Sequence, residues 1–145
     1  MKKILIIQTA SIGDVILSTA LAGKLHDYYP EATIDYLVKN GMESLFSGHP
    51  FINNVLVWNK KKDKYLNLFR ILVKVRHNRY DAVINVQRFV STGIITGLSG
   101  AKLRAGFDKN PFSFLFNIRT KHLIGQKSLG LHETDRNQKL IESFT

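Results

Sequence analysis

The most constraining feature of this sequence is a repeated alternation between short apolar runs and segments of helical periodicity. Residues 3–8 read KILIIQ, a continuous branched apolar run that is typical of a strand buried on both faces of a parallel sheet. A small polar loop follows at residues 9–13, and from Asp14 apolar residues recur at helical spacing until the stop at Pro30. Further strands are predicted at residues 32–38, 54–58, 81–87 and 102–107, and further helices at 42–47, 63–77, 90–98 and 133–144. This order predicts an α/β fold, an open parallel sheet with helices on both faces.

Length and composition favour one compact domain. A chain of 145 residues with 44% hydrophobic residues has enough apolar material for a single core and is too short for two domains. The absence of cysteine excludes disulfides, thiolate metal sites and a cysteine nucleophile. The first apolar run breaks at Gln8, too early for a signal peptide or a membrane span, so we expect a cytoplasmic chain. The chain ends at the last predicted helix, which leads us to expect a piece of a longer protein.

Positive charge is concentrated in one segment of the chain. The net charge is +10, from 21 basic and 11 acidic residues. Eight of the cations lie between positions 60 and 79, where Asp63 is the one carboxylate: Lys60, Lys61, Lys62, Lys64, Arg70, Lys74, Arg76 and Arg79. Such a segment would attract nucleic acid, an anionic membrane face or a phosphorylated glycolipid. A solvated helix face is an equally good interpretation. The predicted helix here also carries Leu66, Phe69, Leu72, Val73 and His77 as its apolar positions.

The loop at residues 9–13 is the default ligand site, because open parallel sheets bind ligands beyond the carboxyl ends of their strands. The chain has neither a Gly-x-Gly-x-x-Gly pattern in this loop nor a Gly-x-x-x-x-Gly-Lys-Ser/Thr pattern anywhere, which disfavours a dinucleotide or a nucleoside triphosphate held by those motifs. Gly13 allows close backbone approach, and a helix start keeps the Asp14 carboxylate ionised and able to act as a general base on a hydroxyl. From spacing alone the favoured alternative is a capping pair, in which Ser11 and Asp14 only satisfy backbone amides.

Six segments, in order along the whole chain, carry a family resemblance. They read KILIIQTASIGDVILSTAL (3–21), PEATIDYLV (30–38), HPFINNV (49–55), YDAVINVQ (80–87), AKLRAGFD (101–108) and HETDRN (132–137). Together they resemble the N-terminal domain of the ADP-heptose:lipopolysaccharide heptosyltransferases, glycosyltransferase family 9. The opening segment is similar to that family's first strand, Ser/Thr-rich loop, Gly-Asp pair and helix with small residues. The chain departs from the family pattern at Gln8, Asn85 and Arg88, which leaves the sugar and the acceptor open.

The resemblance implies a fold and a reaction. Family members use two Rossmann-like domains of the glycosyltransferase B type that face a cleft. The N-terminal domain takes the acceptor, a phosphorylated lipid A inner core, and the C-terminal domain takes ADP-heptose. Transfer inverts the anomeric centre and requires no metal or cofactor. Residues 1–145 are therefore expected to form an N-terminal acceptor-binding domain without its donor domain, and to transfer little or nothing alone. The acceptor would place it peripherally on the inner face of the cytoplasmic membrane.

The resemblance also assigns roles to residues. Asp14 matches the family's general base, Ser11 and Gly13 match its supporting loop, and His132 matches a histidine before the last helix of this half. Gln87, at the tip of the fourth predicted strand, is expected to reach the same cleft. The remaining expected substrate-binding residues are the lysines that would meet acceptor phosphates: Lys60, Lys61, Lys62 and Lys64.

Two other classes of protein remain as alternatives. The first is a stand-alone basic α/β module that binds nucleic acid or another anionic polymer. It is the weaker interpretation because the strands lack interleaved aromatic and basic residues and no nucleic-acid motif is present, so no nucleic-acid partner is expected. The second is a response-regulator-like or flavodoxin-like domain, whose acidic cluster or phosphate-binding loop is missing. The oligomeric state is left open by the sequence.

Overall fold

The fold is known from a computed structural model that describes residues 1–120, 137 and 139–145. The strands in this part of the chain are β1 (Lys3–Ile7), β2 (Thr33–Lys39), β3 (Ile52–Trp58), β4 (Ala82–Asn85), β5 (Leu103–Phe107) and β6 (Ile118–Thr120). The α-helices are α1 (Ile12–Tyr28), α2 (Lys64–Asn78) and α3 (Val90–Gly97). Short 3-10 helices lie at Glu43–Phe46, Ser113–Leu115 and Glu142–Phe144.

The six strands form one sheet in the order β3-β2-β1-β4-β5-β6, and every neighbouring pair is parallel. From β1 the chain builds outward through β2 and β3, then crosses over to place β4 on the other side of β1. The topological switch point therefore lies between β1 and β4, where Ile7 is paired with Asn85. Sheets of this order bind their ligands at the carboxyl edge beside that point. The predicted open parallel α/β sheet is confirmed.

Helices cover both faces of the sheet because β1 is apolar on both faces. Ile4 and Ile6 pack in one core with the α1 residues Val15, Leu21 and Leu25. Leu5 and Ile7 pack in the other core with the α2 residues Leu68, Ile71 and Val75. Burying the apolar surface of a strand on both faces is what a continuous apolar run requires, since each side chain removed from water contributes about 1.5–3 kcal/mol.

Helix α2 packs on the sheet through apolar residues other than those that its sequence pattern indicated. Leu66, Phe69 and Val73 are exposed, and a second set of apolar residues packs on the sheet instead. The cause is charge: the first set is interleaved with Arg70 and Lys74, whose burial against the sheet without partners would be costly. Sequence periodicity alone does not separate two apolar stripes on one helix.

Smaller differences concern the ends of the chain and its short elements. The helix expected at residues 42–47 is a 3-10 helix at Glu43–Phe46, and β6, only three residues long, was not predicted. The helix expected at residues 133–144 lies largely outside the described residues, and its last part is a 3-10 helix. Among the helices that the structure describes, none combines the length and apolarity needed to cross a bilayer.

Candidate functional site

The loop after β1 is fixed in place by the end of β4. The side-chain oxygen of Gln87 accepts hydrogen bonds from the Thr9 backbone N–H and the Thr9 hydroxyl, each at 2.8 Å. Gln8 contributes a further bond, because its side-chain oxygen accepts the Ala10 N–H at 3.1 Å. Thr9, Gln8 and Gln87 are all buried. The loop that leads into α1 therefore has a fixed position at the switch point.

Ser11 and Asp14 form a side-chain pair at the start of α1. The Ser11 hydroxyl donates to Asp14 Oδ2 at 2.8 Å, and Ser11 makes no side-chain hydrogen bond to the backbone of the helix. The capping geometry favoured by spacing alone is thus not the one in the structure, since the hydroxyl engages the carboxylate rather than an amide. Asp14 lies in the first turn of α1, where the positive end of the helix dipole favours a negative charge. The result is an oriented, half-exposed carboxylate at the ligand edge of the sheet.

Gly13 leaves open space beside this pair. A Cβ added at Gly13 would meet no atom within 4 Å, whereas one added at Gly93 would overlap the side chain of Asn110. Gly93 is therefore required by packing within the chain, and Gly13 is not. The packing of the chain would thus accept a side chain at position 13, and its absence leaves the backbone there open to a group that approaches from outside.

Buried amide side chains hold the chain at and just after the end of β4, through hydrogen bonds that the sequence did not predict. Asn85 Oδ1 accepts the Gln87 N–H at 2.8 Å, and Asn110 Nδ2 donates to the backbone oxygens of Gln87 at 3.3 Å and Phe89 at 3.1 Å. The side-chain nitrogens of Asn85 and Gln87 are buried without a hydrogen-bond partner. Gln87 was expected to reach the cleft. In the structure its side-chain oxygen accepts the hydrogen bonds from Thr9. Sequence reasoning placed Thr9 in the site loop but missed its bonds to Gln87, and it missed Asn110 altogether, because these bonds join distant segments.

The four lysines of the predicted phosphate site occupy different environments. Lys60 is half-buried, with its Nζ 5.5 Å from the centre of the Trp58 ring and 5.8 Å from that of Phe89. Burial lowers the pKa of Lys60, and the nearby charges of Lys39 and Lys64 lower it further. The other members of the set are exposed: Lys61, Lys62 and Lys64. Lys64 Nζ lies 5.8 Å from the centre of the Tyr65 ring, so two of the four lysines face aromatic rings and only Lys60 among them is half-buried.

A mostly apolar cavity of about 400 Å³ lies between the start of α2 and the start of α3. Its lining includes Trp58, Lys60, Lys64, Tyr65, Phe89 and Ile94. Cavities of this size, with few polar groups on apolar walls, are typical of sites for small ligands or parts of larger ones. Lys60 and Lys64 are among the residues that line this cavity, and Asp14 is not.

Two remaining expectations concern His132 and metals. His132 lies outside the residues that the structure describes. Within the described ranges, no group of three or more histidine, aspartate or glutamate side chains is placed to hold a metal ion.

The sheet order and the helices on both faces are those of a Rossmann-like domain, and the structures that match it show that this is one half of a glycosyltransferase B-type fold. A family 9 glycosyl transferase from Veillonella parvula matches with a TM-score of 0.85 and 21% identity, over 98% of this chain and 41% of that chain. The Escherichia coli heptosyltransferase WaaC with ADP matches with a TM-score of 0.78 and 21% identity, over 98% and 46%.

Sequence relatives give the family resemblance. Lipopolysaccharide heptosyltransferase 1 of Campylobacter coli is 29% identical over 123 residues, 83% of this chain and 36% of that protein. Lipopolysaccharide heptosyltransferase 3 of Escherichia coli is 30% identical over 100 residues, 66% of this chain and 29% of that protein. No family model matches the chain. The chain is a homologue of the lipopolysaccharide heptosyltransferases of glycosyltransferase family 9, which confirms the resemblance found in its sequence.

The chain spans less than half the length of the curated relatives it matches. These relatives are named as glycosyltransferases, so the alternative of a stand-alone nucleic-acid-binding module is not favoured.

Proposed function

We propose that this chain is the acceptor-binding half of an inverting glycosyltransferase that transfers heptose from ADP-heptose to the lipopolysaccharide inner core. Its homology to heptosyltransferases and its open switch-point edge support this function. ADP-heptose would be bound by a second domain, and no other cofactor is needed. The acceptor half would work at the cytoplasmic face of the inner membrane, in peripheral contact with it, and would not bind nucleic acid.

The hydrogen bond from Ser11 to Asp14 is the observation that carries the proposal. It leaves an ionisable carboxylate oriented at the ligand edge, beside the open surface at Gly13. In the reaction, the acceptor hydroxyl oxygen attacks the anomeric carbon from the side opposite ADP, and Asp14 takes the hydroxyl proton. The bond from the anomeric carbon to the ADP oxygen breaks as the new glycosidic bond forms, so the configuration inverts. Ser11 acts as a positioning residue that holds the carboxylate.

The remaining residues would hold the acceptor or the loop. Lys60 and Lys64 line the cavity, where ammonium groups on apolar walls suit a phosphorylated sugar. The exposed Lys61 and Lys62 would add attraction for the other phosphates of a lipid A–core acceptor. His132 remains a substrate-binding candidate through the family resemblance alone. Gln87 would act through Thr9, by fixing the loop that carries Asp14.

The experiment that tests the proposal joins this chain to the C-terminal part of the Campylobacter coli relative that it does not span. Asp14→Asn in that fusion should lower kcat by about 100- to 10,000-fold, the range for loss of a general base, with little change in KM for the acceptor. Asp27→Asn is the matched control, since it alters an exposed carboxylate in the last turn of the same helix. The chain alone should show no robust turnover of ADP-heptose. Undiminished kcat in Asp14→Asn would exclude Asp14 as the base.

A further inference from the structure

Helix α2 carries a second apolar stripe on the side that faces away from the sheet. Leu66, Phe69 and Val73 expose 50%, 63% and 52% of their surface, although all three are large and apolar. Their spacing of three and four residues aligns them in one ridge along the helix. At 3.6 residues per turn this ridge lies roughly opposite the residues that pack on the sheet. A helix needs only one apolar stripe to fold onto a sheet, so folding does not account for this one.

Cations surround the stripe. Arg70 directly follows Phe69 in sequence, and Lys74 directly follows Val73. The lysine-rich segment at residues 60–64 leads into the N-terminal end of the helix. Asp63 is the one carboxylate between positions 60 and 79, against eight cations. The surface therefore presents apolar side chains framed by positive charge, the composition of helices that lie in the interface of an anionic bilayer.

The same charges argue against a second copy of the chain as the occupant of this surface. Two copies meeting through α2 would bring two basic surfaces together, and like charges facing each other at an interface cost several kcal/mol. An anionic lipid surface instead attracts each basic residue near it by about 1 kcal/mol.

We propose that α2 docks this chain on an anionic membrane surface, with Leu66, Phe69 and Val73 seated at the boundary between headgroups and acyl chains. Arg70 and Lys74 then lie at the lipid phosphates, and the exposed ring of Tyr65 lies at headgroup level, where amphipathic aromatic residues are favoured. The docking surface rests on the peripheral location proposed above, but not on the transfer reaction. It would hold the cavity beside Lys64 and Tyr65 close to the lipid, because those residues line the cavity and begin the helix.

The test measures partition of the full 145-residue chain onto vesicles of phosphatidylglycerol and phosphatidylcholine, by co-sedimentation. The wild-type chain should bind these vesicles, bind pure phosphatidylcholine far less, and lose binding as salt rises. The double variant Leu66→Gln/Phe69→Gln should weaken partition about tenfold or more, since it removes apolar area that is buried in the bilayer when α2 docks. Arg70→Gln/Lys74→Gln should weaken it by a similar factor, since it removes two cations from the lipid surface. The matched control is Phe114→Gln, which alters a phenylalanine that is 69% exposed outside α2 and should change nothing.

Three results would overturn the proposal. They are failure of the wild-type chain to bind anionic vesicles, unchanged partition of Leu66→Gln/Phe69→Gln, and a wild-type dimer in solution that this variant abolishes. The last result would assign the stripe to a second copy. The vesicles contain neither acceptor nor ADP-heptose, so the outcome is independent of the reaction. A wild-type chain that binds vesicles but does not bind the acceptor would count against the proposed function alone.

Discussion

The side-chain oxygen of Gln87 accepts two hydrogen bonds from Thr9, one from its backbone N–H and one from its hydroxyl, each 2.8 Å long. The two residues follow β1 and β4, which are paired in the sheet but lie 78 positions apart in sequence. Through this contact, the end of one strand fixes the loop that begins on its neighbour. Ser11, Gly13 and Asp14 all follow Thr9, so their positions depend on it.

Removing the oxygen acceptor should destabilise the fold. Gln87→Leu leaves the buried N–H and hydroxyl of Thr9 without their partner, and each buried unsatisfied donor costs about 1–3 kcal/mol. We expect a loss of about 2–4 kcal/mol in the free energy of unfolding, measured by urea denaturation. Thr9→Val removes only the hydroxyl donor and should cost about 1 kcal/mol. The double variant should show strong coupling between the two sites. A Gln87→Leu chain as stable as wild type would show that the bond does not fix the loop.

Ser11→Ala separates the two roles that the sequence allowed for Ser11. If its side chain capped the helix, the substitution would cost about 1 kcal/mol of stability. In the structure its hydroxyl bonds to Asp14 and not to the helix backbone, so we expect a change within about 0.5 kcal/mol, measured by thermal or urea unfolding. In the fusion with a donor domain, the same variant should lower kcat through a less ordered carboxylate. A clear loss of stability would restore the capping interpretation.

Replacing a glycine by alanine should have one of two effects on stability, depending on the space around the glycine. Gly13→Ala and Gly23→Ala meet no atom within 4 Å, and both positions lie in α1, where alanine is favoured over glycine by about 0.5–1 kcal/mol. Both variants should be as stable as wild type or more so. Gly93→Ala should lose about 1–3 kcal/mol, because its Cβ overlaps the buried, hydrogen-bonded side chain of Asn110.

Acceptor binding then distinguishes the two variants in α1. If the acceptor approaches the backbone at Gly13, Gly13→Ala should weaken its affinity in calorimetric titration while Gly23→Ala leaves it unchanged. Equal affinities for the two variants would place the acceptor elsewhere.

Asp81 should make stability depend on pH. Its carboxylate accepts the backbone N–H of Lys3 at 2.9 Å and of Lys2 at 2.8 Å, and these bonds hold its pKa below the ordinary value of 3.8. A carboxyl whose pKa is lowered by folding stabilises the folded state above its unfolded pKa. That stability is lost as pH falls through the lowered folded value.

Asp81→Asn keeps the oxygen and removes the charge, so it should cost about 1 kcal/mol near neutral pH, a modest loss because the site is partly exposed. The difference from wild type should shrink below about pH 4. Urea unfolding across pH tests this, and a difference that is independent of pH would contradict the role assigned to the charge.

The sequence predicted most of the architecture because its apolar patterning is local. The runs around Ile4–Ile7 and Ala82–Asn85 predict strands without knowledge of their neighbours, and α1 follows from apolar spacing that ends near Pro30. The short strand β6 was missed because three residues carry too little pattern. On α2 both apolar stripes have helical spacing, and only packing in the folded chain decides that Leu68 is buried and Phe69 is exposed.

The candidate site was less predictable, because its contacts are not local. Nothing in the sequence around Gln87 indicates that its oxygen bonds to Thr9, nor that Asn110 holds the end of β4. Lys60 belongs to a run of similar lysines, and only the structure shows its ammonium group against Trp58 and Phe89. The spacing of Ser11 and Asp14 identified them as a pair. The same spacing fits either a helix cap or a serine that orients the carboxylate. The atoms that the hydroxyl contacts settle that choice.

If this chain is the acceptor-binding half, it should hold the acceptor and not the sugar donor. The direct measurement is calorimetric titration of the 145-residue chain with a soluble, deacylated and phosphorylated lipid A–core saccharide, and separately with ADP-heptose. We expect saturable acceptor binding that Lys60→Gln weakens and Asp14→Asn leaves nearly unchanged, with no binding of ADP-heptose. Binding of ADP-heptose without binding of the acceptor would contradict it.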